Sequence, residues 1–234
     1  AKQAQAVEHI DGALLLLAGA GSGKTKTLIS RLAYLIGAVG IDPASILCLT
    51  FTNKASSEMR ERATLLLQNQ GIHSPTSPLL CTFHKFGLLF LKRYISCLGR
   101  ENNFVLLDGD DCKKIIKGFE SKIATSTILS AISHYKNSTL SACEVLQNVS
   151  DSEERKIAKV YEAYQNYLER NNLVDFDDLL YLSYLIMEQN PSMAQSLSKK
   201  YSYIMVDEYQ DTNPLQYKIL RFLTCTHQNL CVVG

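Results

Sequence analysis

Leu14-Leu-Leu-Leu-Ala-Gly-Ala-Gly-Ser-Gly-Lys-Thr25 is the stretch around which the rest of the chain can be ordered. Four consecutive leucines ended by a glycine-rich turn suit a strand buried on both faces of a parallel sheet. From Lys24 to Gly37, residues Leu28, Leu32, Leu35 and Ile36 share one face of a helix. Strand, glycine loop, Lys-Thr and helix together make a phosphate cradle. Glycines let backbone N–H groups converge on phosphate oxygens, and the helix start adds the positive end of its dipole. Lys24 can then reach the β/γ-phosphates, and the Thr25 hydroxyl is placed to hold Mg²⁺. Strict spacing has glycine where this chain has Ala18, but Gly-Lys-Thr stands in register behind an apolar strand.

A length of 234 residues permits one or two domains with a substantial core. The net charge of +1 is no warrant for nucleic-acid binding, which must be argued from motifs. Seven cysteines without a Cys-x-x-Cys pair read as buried free thiols in a reducing compartment, rather than as zinc ligands or a disulfide framework. No apolar run is long enough for a membrane span, and no secretory signal is visible. A cytoplasmic protein is expected.

Working outward, residues 1–10 read as a short helix and Asp11-Gly12 as a turn. Ser45–Phe51 reads as a second buried strand, with Thr-Asn-Lys after it and a helix over 55–67. Leu79–Thr82 reads as a third strand, followed by Phe83-His84. Ligands of open parallel sheets bind beyond the carboxyl ends of strands, which puts Phe51, Thr52, Asn53 and His84 at a working edge. An aromatic beside small polar groups suits base stacking with phosphate contact; a buried Phe with Thr or Asn helix caps is the equally open alternative.

From residue 88 to about 187 strands nearly vanish, apart from 104–107. Helices are expected over 88–98, 109–120, 125–135, 152–170 and 175–188. This is a largely helical insertion into an α/β sheet. Asp175, Asp177 and Asp178 read as a helix cap rather than a metal site. The sheet resumes at Tyr203-Ile-Met-Val206 and ends in Asp207-Glu208. After a Gly-Lys-Thr loop, such a strand supplies a Mg²⁺-holding Asp and a Glu that orients and deprotonates water. Asn213-Pro214 opens a further helix, and Leu230–Val233 is a last strand.

Gln3-x-x-Ala6-Val7, Ala18–Thr25, Leu49-Thr-Phe-Thr-Asn-Lys-Ala55, Thr82-Phe-His84, Phe176-Asp-Asp-Leu-Leu180 and Val206-Asp-Glu-Tyr-Gln-Asp-Thr-Asn213 together resemble the UvrD/Rep (PcrA-like) superfamily 1 DNA helicases. The motifs follow the family's order and span nearly the whole chain. The resemblance implies a RecA-like parallel sheet with flanking helices at 1–90 and 190–234, and a helical accessory subdomain at 91–189. It implies an enzyme that couples Mg-ATP hydrolysis to 3′–5′ movement along single-stranded DNA and to unwinding at single/double-strand junctions. Gln3 would read the adenine edge, and Ala20, Gly21, Ser22, Gly23, Lys24, Thr25 and Lys26 would hold the phosphates. Thr25 and Asp207 would bind the metal, Glu208 would be the base, and Gln210 would sense the γ-phosphate. Phe51, Thr52, Asn53, Thr82 and His84 would line the single-strand path.

The family's next motif would start at Gly234, so a second motor domain with its arginine contacts is expected outside this sequence. Without it, weak ATP binding and poor turnover are expected. The motor part of a helicase–nuclease and a non-catalytic nucleotide- or DNA-binding module are the alternatives. Lys24, Thr25, Asp207 and Glu208, all intact, argue against the second.

Overall fold

The computed structural model describes residues 2–17, 19, 21–119 and 122–234. Ala18 and Ala20, both in the glycine loop, lie outside the described residues. The chain divides into two compact units, one of Ala1–Phe86, Asn190–Thr212 and Leu220–Gly234, the other of Gly87–Gln189 and Asn213–Ile219.

In chain order, the elements open with α1 (Lys2–Glu8), β1 (Leu14–Leu16), α2 (Lys24–Gly37), β2 (Ile46–Thr50), α3 (Asn53–Asn69), β3 (Leu79–Thr82) and α4 (Phe83–Tyr94). There follow β4 (Val105–Leu106), α5 (Gly109–Lys117), α6 (Thr125–Asn137), α7 (Ala142–Asn148), α8 (Ser152–Arg170), β5 (Leu173–Val174) and α9 (Asp178–Gln189). The last are α10 (Pro191–Lys200), β6 (Tyr203–Val206), α11 (Pro214–Leu223) and β7 (Leu230–Val233).

The protein is α/β. Five strands form one sheet in the order β1-β7-β6-β2-β3, and every pairing in it is parallel. β2 is buried at all five positions and β6 at all four, as continuous apolar runs flanked by strands on both sides should be. Leu28, Leu32 and Leu35 of α2 pack with Cys48, Met59, Leu80, Met205 and Val233 in one apolar core. Each such side chain contributes about 1.5–3 kcal/mol through burial.

β1 departs from the sequence expectation. It is an edge strand, paired among the described residues only with β7, and Leu15 and Leu17 are 56% and 76% exposed. An apolar run reports the capacity for burial, whereas the neighbours in the sheet decide how much of it is used.

The second unit is mostly helical, with a short parallel pair of β4 on β5. Its core joins Ile116, Ile128, Ile132, Tyr161, Tyr164 and Leu168. α7, β5 and α10 were not anticipated from periodicity. α7 nevertheless carries a legible start, since Ser141 and Glu144 form a reciprocal capping box. α4 begins at Phe83 rather than 88, directly after β3.

Asp175 does cap a helix start, accepting from the Asp178 N–H at 2.8 Å. The same acids also hold a buried cation. Lys136 Nζ lies 2.7 Å from Asp175 Oδ2 and 2.8 Å from Asp178 Oδ1, and Tyr164 donates to Asp175. All seven cysteines are free, with Cys48, Cys81, Cys112 and Cys231 buried. Cys97, Cys143 and Cys225 are exposed, against expectation, because each lies at a helix surface or a turn outside the apolar cores.

Candidate nucleotide site

The loop between β1 and α2 is shaped by backbone conformation. Gly21 and Gly23 have φ of 75° and 87°, the left-handed region that L side chains rarely adopt. Gly23 is the residue before α2 and supplies no side-chain cap. The first N–H groups of a helix have no partner within it, so this end presents donors to an incoming anion.

Two other elements bring side chains to the same place. From α1, Gln3 Nε2 donates to the Ser22 carbonyl at 2.9 Å. From the end of β6, Asp207 Oδ2 accepts from Thr25 Oγ1 at 3.1 Å, joining residues 182 positions apart. Its other oxygen accepts from the Glu208 N–H at 3.1 Å. Asp207 is 4% exposed, and burial pushes its carboxyl above the ordinary range. The Thr25 and Glu208 hydrogen bonds and the charge of Lys24 pull it back, while the charge of Glu208 pushes it further up.

Glu208 itself sits at φ 53° and ψ 43°, a left-handed conformation costly for a non-glycine residue. Gln210 Nε2 donates to its carboxylate. Gln210 in turn lies over Gly234, where an added Cβ would meet Gln210 Oε1 at 2.9 Å; the Gly234 N–H donates to Leu16 O. A cleft of about 340 Å³ opens beside α1 and the start of α2, lined by Gln3, Ala6, Leu16, Ser22, Lys24 and Thr27 among others. Lys26 is exposed on the first turn of α2.

Such a constellation, strand–glycine loop–helix with an Asp-Glu strand end facing the loop hydroxyl, is what the family comparison bears on. The family described as UvrD/REP helicase N-terminal domain matches residues 1–234, the whole chain. The chain belongs to this family. It is 37% identical over 240 residues to the ATP-dependent DNA helicase PcrA of Staphylococcus aureus, covering all of this chain and 32% of that protein. A probable DNA helicase II homolog of Mycoplasma capricolum is 39% identical, covering all of this chain and 33% of the relative. The ATP-dependent DNA helicase Rep of Buchnera aphidicola is 40% identical, covering 99% and 36%. This UvrD/REP chain thus spans about a third of the length of the relatives it matches.

The remaining predicted residues of the UvrD/REP chain gather farther along the same carboxyl rim. Thr50 of β2 and Thr82 of β3 are register partners, so the segments that follow them are neighbours. The Phe51 and Phe83 rings lie 5.5 Å apart. Thr52 caps α3, accepting from the Ala55 N–H at 3.1 Å; Thr82 is buried and accepts from the Lys85 N–H at 3.1 Å. Both hydroxyls therefore have capping work, while Thr52 and Asn53 are exposed and Phe51 and His84 half-buried. Two groupings result, Gln3 with Ser22–Thr25, Asp207, Glu208 and Gln210, and Phe51–Asn53 with Thr82–His84. Arg31, buried on α2 one turn after Thr27, is not singled out by the sequence motifs. A charged residue on the Leu28, Leu32, Leu35 face was the signal that could have found it.

Proposed function

We propose that this chain is the amino-terminal motor part of an ATP-dependent DNA helicase, and that the cleft beside Gln3 and Lys24 takes ATP. The observation that carries this reading is the Thr25–Asp207 hydrogen bond with Lys24 acting on the same carboxylate, 182 residues away in sequence. Nothing in a merely structural strand–helix turn calls for those groups together.

The donor set fits a hard divalent cation: two oxygens 3.1 Å apart, one of them on a buried carboxylate. Thr25 and Asp207 would hold it. When bound, Mg²⁺ neutralises charge on the β- and γ-phosphates. Gln3 orients the base edge, and the N–H groups following Gly21 and Gly23 bind phosphate oxygens. Lys24 places its ammonium on the β/γ-phosphates, and Glu208 orients the attacking water and takes its proton. Gln210, already bonded to Glu208, is placed to report whether a γ-phosphate is present.

On the same reading the sheet is RecA-like, and the mostly helical unit is the accessory subdomain inserted into it. Phe51, Thr52, Asn53, Thr82 and His84 line the single-strand path, with stacking on an aromatic contributing about 1–3 kcal/mol per base. Movement from 3′ to 5′ and unwinding at junctions belong to the whole protein and rest on the family resemblance.

Titration with a fluorescent ATP analogue and Mg²⁺ tests the cleft directly. Removing the ammonium in Lys24→Ala costs a charged hydrogen bond, so affinity should fall about ten- to a hundredfold. Unchanged affinity in Lys24→Ala would overturn the assignment. Anisotropy of a labelled single-stranded oligonucleotide should show Phe51→Ala binding more weakly, while ATP affinity stays put.

A further inference from the structure

Arg31 stands on α2 just beneath the cleft and takes no part in the chemistry above. It is only 2% exposed, and a guanidinium is costly to bury. Yet no carboxylate forms an ion pair with it among the described residues. Its fork goes to main chain instead. Nη1 donates to Ala6 O at 3.1 Å and Nη2 to Ile10 O at 3.0 Å, while Nε has no partner among the described residues. Burial lowers its pKa; Asp11, which would favour the charge, accepts a hydrogen bond from Tyr203.

The Ala6 carbonyl belongs to α1 and that of Ile10 to the chain two residues past its end. Ala6 is in the last turn, whose carbonyls have no partner inside the helix, and a cation there also meets the negative end of the dipole. α1 has only seven residues, too few to persist without tertiary support. What it carries is Gln3, one turn before Ala6, with its amide on Ser22 of the glycine loop. Thr27, one turn before Arg31 on α2, lines the cleft together with Gln3 and Ala6.

We propose that Arg31 is a positioning residue for base selection, its guanidinium fastening the end of α1 to α2 so that the Gln3 amide faces the six-position edge of an adenine. The inference rests on the cleft being an ATP site. A glutamine amide can pair with the amino group and ring nitrogen of adenine together, but only if its backbone is held. A lysine at position 31 keeps the charge and lacks the planar fork that spans two carbonyls.

The test measures binding of ATP, GTP and pyrophosphate, with Mg²⁺, to the unmodified chain, Gln3→Ala, Arg31→Lys and the double variant. Arg31→Lys should bind ATP about tenfold more weakly. Its ATP-over-GTP preference should shrink to that of Gln3→Ala, pyrophosphate binding should be unchanged, and the double variant should be no worse than Gln3→Ala. An Arg31→Lys protein that keeps the parental preference, or loses all three ligands equally, overturns the inference and leaves the ATP site standing. Failure of the unmodified chain to bind any of them would overturn the site and the inference together. A readout independent of substitution covers a variant that does not fold. Amides of residues 2–10 should gain protection from hydrogen exchange with ATP and not with pyrophosphate; equal protection by both, or none, overturns the inference.

Discussion

At Lys136 an ammonium with no exposed surface faces two carboxylates. Burial and the neighbouring Asp175 push the Asp178 carboxyl up to about 6, against the pull of Lys136 and Arg100. An acid whose folded pKa is raised holds its proton more tightly folded than unfolded. Its contribution to stability is therefore complete below the ordinary value of 3.8 and is lost as pH rises through about 6. Urea unfolding across that window should show this decline, and Asp178→Asn should flatten it. Lys136→Met leaves both acids without their cation and should cost about 3–5 kcal/mol in the same measurement. Glu208 is a different case at this scale. Its left-handed backbone is compatible with storing strain at the residue proposed as the base, with Gln210 holding the carboxylate.

Elements in this chain meet at glycines where no side chain would fit. Gly87 in α4 is one: a Cβ there would lie 2.3 Å from the backbone oxygen of Leu179 in α9. Backbone cannot move aside as a flexible side chain can, so Gly87→Ala should destabilise by about 1–3 kcal/mol. Thermal unfolding followed by circular dichroism measures it. Gly37 is equally tight in number, at 2.3 Å from Ile72 Cδ1, but there the obstacle is the far end of a side chain. Gly37→Ala should cost less, and equal costs would contradict this distinction. Helix starts at the carboxyl rim show how one side chain can have two functions. Thr52 and Thr82 cap α3 and α4 in the structure, so alanine at either should cost about 1 kcal/mol whatever it does to DNA. DNA binding by such variants is interpretable only against that loss.

For the molecule as a whole, a ligand that binds the folded state stabilises it by mass action. Mg-ATP at a hundred times its dissociation constant should add about 2.7 kcal/mol. A rise in melting temperature with ATP that disappears in Lys24→Ala would accord with the proposed cleft; no rise with the parental chain would contradict it. Among the described residues no helix is long and apolar enough to cross a membrane.

Several features were settled by local sequence. The glycine loop, the apolar β2 and β6 runs and the Asp-Glu strand end were legible because each depends on residue type at short spacing. So was the family, since its motifs lie in order along the chain. Tertiary structure alone decided three others. β1 became an edge strand, because burial depends on which strands flank it. Lys136 found Asp175 and Asp178 at a separation of about 40 residues, a pairing no periodicity encodes. Arg31 reached carbonyls in α1 and just past its end, and main-chain acceptors leave no mark in a sequence because every residue has one.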